Sequence, residues 1–126
     1  MPIVKDVIRN ASSILERNSI KTHLLDTEVI LSNLMKVNRE YLLLNDNFYI
    51  AENIMRKFDH AIERRAKKEP VAYILGKKEF WSIDFPINKS TLISRPETEL
   101  LVREVVKFKE NKNVNVLDIG TGCGCI

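Results

Sequence analysis

Val114-Asn-Val-Leu-Asp-Ile-Gly-Thr-Gly-Cys-Gly-Cys-Ile126 is the stretch that decides the fold. Val114, Val116, Leu117 and Ile119 make a short apolar run, which predicts a strand that needs sheet neighbours and covering helices. Gly120-x-Gly122-x-Gly124 follows at once. A strand running into a glycine turn is the first β-to-α connection of an open α/β sheet. Its glycines accept positive φ and let backbone N–H groups approach a ligand. The spacing is not the G-x-G-x-x-G of a dinucleotide site, and no Gly-Lys-Ser/Thr triplet supplies a phosphate cradle. Asp118 stands two residues before the first glycine.

Upstream, the pattern is helical. Ile3, Val4, Val7, Ile8, Ala11, Ile14 and Leu15 recur at three- and four-residue spacing, and Asn18-Ser19 ends that helix. Thr22 is placed to cap a second helix that buries Leu24, Leu25, Val29, Ile30, Leu31, Leu34 and Met35. Asn38 is placed to cap a short third helix through Leu44. A fourth, from about residue 51 to 67, buries Ile54, Met55, Phe58, Ala61, Ile62 and Ala66. Short connections imply antiparallel neighbours in a bundle. Pro70 to Gly76 reads as one more helical turn, opened by proline and closed by glycine.

The period then changes. Trp81, Ile83, Phe85 and Ile87 alternate with polar residues and proline, predicting a half-buried strand with Trp81 and Phe85 in the core of a hairpin. Asn88-Lys89-Ser90 is the expected turn and Thr91-Leu92-Ile93 the expected partner strand. Ser94-Arg-Pro-Glu-Thr-Glu99 starts another helix, with proline and two acids at its positive dipole end. Leu100, Leu101, Val105 and Phe108 mark its buried face.

The acid before an alternating G-x-G-x-G resembles motif I of S-adenosylmethionine (SAM) methyltransferases, a loop that holds a methionine moiety and needs no lysine. Glu69-Pro-Val-Ala-Tyr-Ile-Leu-Gly-Lys-Lys-Glu-Phe-Trp81, then Arg95-Pro-Glu-Thr-Glu99, then motif I, resembles the release factor glutamine methyltransferases of the PrmC/HemK family. The likeness spans the chain, with residues 1–68 matching only as a pattern of helices. It departs at Ser94, where the family usually has proline; a serine there is placed to cap the helix.

The resemblance implies an α+β fragment: an N-terminal α-helical bundle, a β-hairpin, and the start of a Rossmann-like class I SAM methyltransferase domain. The implied division is 1–76 for substrate recognition, 77–93 for the interdomain hairpin and 94–126 for the incomplete catalytic domain. Asp118, Gly120, Thr121, Gly122, Cys123 and Gly124 are the implied SAM-binding residues, with Arg95, Glu97 and Thr98 as further contacts. The implied reaction moves the SAM methyl group to the side-chain nitrogen of the glutamine in the Gly-Gly-Gln loop of a peptide chain release factor. In the family an Asn-Pro-Pro-Tyr segment orients that nitrogen. These 126 residues hold no such segment, since the prolines stand at 2, 70, 86 and 96. The acid that grips the ribose lies on a second strand that is also absent. The expectation is therefore an inactive chain, with residues from about 112 onward mobile or aggregation-prone. The alternative, from another class, is a non-catalytic module in which the bundle docks a release factor.

Bulk properties narrow the field further. The net charge of +3 is spread evenly, with twelve Lys/Arg against ten Asp/Glu in residues 1–76 and eight against seven after them. Nucleic-acid binding needs clustered cations, so no direct nucleic-acid contact is expected. Arg64-Arg-Ala-Lys-Lys68 reads as the solvated end of a helix rather than a docking patch, and His23 and His60 read as packing or surface residues. Cys123 and Cys125 are too close for an ordinary disulfide and lack further ligands for a metal, so no metal is expected. No membrane span or signal sequence is legible, and a cytoplasmic setting is expected.

Overall fold

The computed structural model describes residues 1–110 and 112–126. The chain divides into two compact units, Met1–Leu75 and Gly76–Ile126. It is helix-rich with one two-stranded antiparallel hairpin.

The first unit holds α1 (Val4–Arg17), α2 (His23–Met35), α3 (Arg39–Leu44), α4 (Glu52–Ala66) and α5 (Val71–Leu75). α1 buries Val4, Val7, Ile8, Ala11 and Leu15 of the stripe its spacing predicts and leaves Ile14 of that stripe exposed. Its first turn is tied to the 46–50 segment: Val4 N–H donates to the Phe48 carbonyl at 2.9 Å, and Ile50 N–H to the Pro2 carbonyl at 2.9 Å. α3 begins on the expected cap, with Tyr41 N–H donating to Asn38 Oδ1 at 2.8 Å. Phe58, Ala61 and Ile62 bring α4 into the same core.

α2 departs from its expected face. Leu24 and Leu25 are exposed, while Asp26, Thr27, Glu28 and Ser32 are buried beside Ile30 and Leu31. Apolar residues on several sides of this helix hide which side faces inward, and the buried acids show why hydrophobicity alone misplaces it. Each acid has a cation. Arg65 Nε donates to Asp26 Oδ2 at 2.8 Å, and Arg39 grips Glu28 Oε2 through Nε (3.1 Å) and a terminal nitrogen (2.7 Å). Thr22 precedes α2 as expected but does not cap it; its hydroxyl donates to Asp26 Oδ2 at 2.8 Å instead. Nor are Arg64 and Arg65 a solvated helix end. Arg64 makes a bidentate pair with Glu69, and Arg65 also donates to the Glu69 carbonyl at 3.0 Å. His23 packs between helices, its Nδ1 2.7 Å from Ser12 Oγ, whereas His60 is exposed.

In the second unit β1 (Lys77–Phe80) pairs with β2 (Ile83–Pro86) in the register Lys77↔Pro86 to Phe80↔Ile83. The hairpin thus turns at Trp81 and Ser82, not at 88–90, and residues 91–93 are not a strand. Both turn residues take positive φ (53° and 58°), the twist a two-residue hairpin needs, without the glycine or asparagine that would announce it. Asn88 does make a turn, accepting from Ser90 N–H at 2.9 Å, but it joins no paired strands. Phe80 rather than Trp81 is the buried aromatic, meeting Phe85 edge-on at 6.3 Å.

A 3₁₀ turn (Pro96–Thr98) leads into α6 (Glu99–Lys109). The cap position belongs to Arg95, not Ser94, with proline at the first turn and no side-chain cap bond. The expected buried face of α6 is open to solvent: Leu100, Leu101, Val105 and Phe108 are all exposed. Residues 114–119 form no strand, and Val116, Leu117 and Ile119 are exposed. A strand exists only by pairing, and no second strand stands beside this segment among the described residues.

Asp26 is the constraint most open to test. Arg65→Met leaves a buried carboxylate with only a threonine hydroxyl, and should lower the unfolding free energy by about 3 kcal/mol in urea titrations followed by helical circular dichroism. Asp26→Leu/Arg65→Met should recover most of that loss. An unchanged midpoint for Arg65→Met would show that the pair carries no stability.

Candidate functional site

The glycine turn is prepared by its neighbours. Thr121 Oγ1 donates to Asp118 Oδ2 at 3.1 Å, and Gly124 N–H donates to the Thr121 carbonyl at 3.0 Å. This closes residues 118–124 into a tight loop. Gly120 and Gly122 sit at φ +74° and +60°, and a Cβ added at either would meet nothing within 4 Å. The glycines are therefore set by backbone conformation and by open space above the loop, not by a crowded neighbour.

A cavity of about 350 Å³ opens beside this loop, entirely within the second unit. It brings Gly120, Thr121, Gly122 and Cys123 together with Arg95 and Thr98 from the start of α6. Three sequence-expected residues do not line it. They are Asp118 and Gly124, which hold the loop through hydrogen bonds to Thr121, and Glu97, which lies on the 3₁₀ turn. Sequence reasoning missed Ser94 and Cys125, which together with Leu92, Ile93 and Ile126 complete the lining. Their separation of more than twenty residues carries no periodic signal; only the fold joins them.

Glu99 has a different task. Its Oε1 accepts the Trp81 N–H at 2.8 Å, so the acid at the α6 start fixes the tip of the hairpin. Burial pushes the Cys125 thiol above its ordinary value and contact with Cys123 adds to the rise, while the Ser94 hydroxyl opposes it. Among the described residues no three His, Cys, Asp or Glu side chains gather in a group able to hold a metal. Among them, too, no helix is long and apolar enough to cross a membrane.

Known proteins match the chain along most of its length. A family described as the PrmC N-terminal domain matches residues 6–76, more than half of the chain. The chain belongs to the release factor glutamine methyltransferase family. A protein named release factor glutamine methyltransferase from Buchnera aphidicola subsp. Baizongia pistaciae is 37% identical over 98% of the chain and 44% of its own length. One of the same name from Clostridium acetobutylicum is 36% identical over the same shares. Another, from Buchnera aphidicola subsp. Schizaphis graminum, is 41% identical over 80% of the chain and 37% of its own length. The chain thus spans less than half the length of these curated relatives.

Only a thiolate alkylates, so a raised thiol reacts slowly at a given pH. At pH 8 Cys125 in the folded chain should take up maleimide more slowly than the same residue in urea, as read by peptide mass spectrometry. Equal rates in the two states would show that the folded chain does not raise the Cys125 thiol.

Proposed function

We propose that this chain is the N-terminal part of an enzyme that methylates the side-chain nitrogen of the Gly-Gly-Gln glutamine of a peptide chain release factor, with SAM as methyl donor. The observation that carries the reading is the cavity that joins Arg95 and Thr98 to Gly120, Thr121, Gly122 and Cys123 in a chain of this family. The helical residues 1–76 recognise the release factor, the 77–93 segment links, and 94–126 begin the SAM domain. The setting is the cytoplasm, and the process is translation termination.

The residues fit the methionine end of SAM. The loop offers backbone N–H groups from glycines at positive φ, has no lysine for a phosphate, and faces one cation, Arg95. Asp118 holds Thr121, and with it the loop's shape, before any ligand arrives. Bound SAM would supply an electrophilic methyl group on sulfur. The orienting Asn-Pro-Pro-Tyr segment and the ribose-gripping acid do not occur in these 126 residues. This chain by itself is therefore inactive in methyl transfer.

A second reading, a docking module without chemistry, is favoured by one observation: the helical unit has its own closed core. One titration tests both. With labelled SAM and a release factor, the chain should show no methyl transfer and SAM affinity weaker than micromolar, while retaining the release factor. Measurable transfer would contradict the need for the segments beyond motif I. Failure to retain any release factor would remove the docking role.

A further inference from the structure

α1 and α4 do not close fully against each other. Between them runs a groove of about 440 Å³ inside the helical unit. Its floor is the buried side chains of Val7, Phe58 and Ile62, and the short side chain of Ala11 leaves the trough open. Ile14, exposed at 42%, forms part of the rim on α1. On α4 the wall runs from Met55 to Ala66, eleven residue steps or about 16 Å, the length of three helical turns.

The charged residues that line this groove have one sign. Asp59 and Glu63 line it from α4, and no lysine or arginine lines it. They stand one turn apart, on the same face as Met55. Both are exposed, and neither is engaged in an ion pair among the described residues, although five other acids of this unit have arginine partners. An apolar trough with an acidic edge fits an amphipathic helix that carries apolar residues at i, i+3/i+4 and i+7 and lysine or arginine beside them.

We propose that the groove between α1 and α4 docks a basic amphipathic helix of the release factor, with Asp59 and Glu63 as its charge contacts. The proposal rests on the reading above, in which the helical unit recognises that protein, and adds where and by what chemistry. The apolar floor supplies affinity, and the acidic edge fixes register and excludes acidic segments.

The test is a calorimetric titration of purified release factor into the 126-residue chain and three variants, each checked for native circular dichroism. Asp59→Lys/Glu63→Lys changes only exposed side chains and should weaken binding about tenfold or more. Ile14→Ser should weaken it about fivefold, and Leu43→Ser/Leu44→Ser, an exposed apolar pair outside the groove, should stay within about twofold. Binding by the parent chain should also weaken as salt rises, because the edge contacts are solvent-accessible. Equal binding by parent and charge-reversed chains would overturn the groove while leaving release-factor recognition intact. Absence of binding by every variant would remove both. A dimer of the chain that dissociates in Asp59→Lys/Glu63→Lys would make a second copy the occupant and overturn the proposal.

Discussion

A carboxylate inside a helical bundle must be paired, and the pairing of Asp26 organises the helical unit. Arg65 reaches it from α4 at 2.8 Å and Thr22 from the start of α2 at 2.8 Å. Arg65 also holds the Glu69 carbonyl, and Arg64 holds the Glu69 side chain. One cluster therefore fixes α2 against the end of α4 and sets the path of the chain into α5. Glu28 and Arg39 do the same for α2 and α3. A buried pair is weak evidence of net stability, because desolvation offsets much of the attraction. In this arrangement of the helices neither acid is orphaned.

What could be read beforehand follows from how local each signal is. α1 and α4 have a single apolar stripe, and Asn38 has a free amide-bearing side chain just before a helical run; all three are settled within one or two turns of chain. α2 is apolar on several sides, so its orientation is decided by Arg65, thirty-nine residues away. The hairpin turn is the clearest failure of local chemistry. Trp81 and Ser82 carry positive φ with no turn-favouring residue, and Glu99 helps hold them by accepting the Trp81 N–H.

The α6 face and residues 114–119 show a different limit. An apolar pattern states that a face is suited to burial, not that a partner lies within the same 126 residues. Leu100, Leu101, Leu117 and Ile119 remain in solvent here, in a chain that spans 44% of the length of relatives such as the Clostridium protein. At the candidate site Gly120 and Gly122 were legible from motif spacing and Arg95 and Thr98 from the family resemblance alone, and the four line one cavity. Asp118 was legible as a site residue, yet it holds Thr121 and does not line the cavity. Ser94 and Cys125 were not legible as a pair, since nothing local connects two residues so far apart. In the proposed function recognition and the SAM loop fall on separate units; the helical core is self-contained in one and the glycine loop is held by its own hydrogen bonds in the other.

The most direct measurement of that division is the amide spectrum of isotope-labelled chain during titration with unlabelled release factor. The account predicts shifts within Met1–Leu75, concentrated on α1 and α4, with the 118–124 loop unmoved. Shifts confined to Gly76–Ile126, with the helical unit silent, would contradict it.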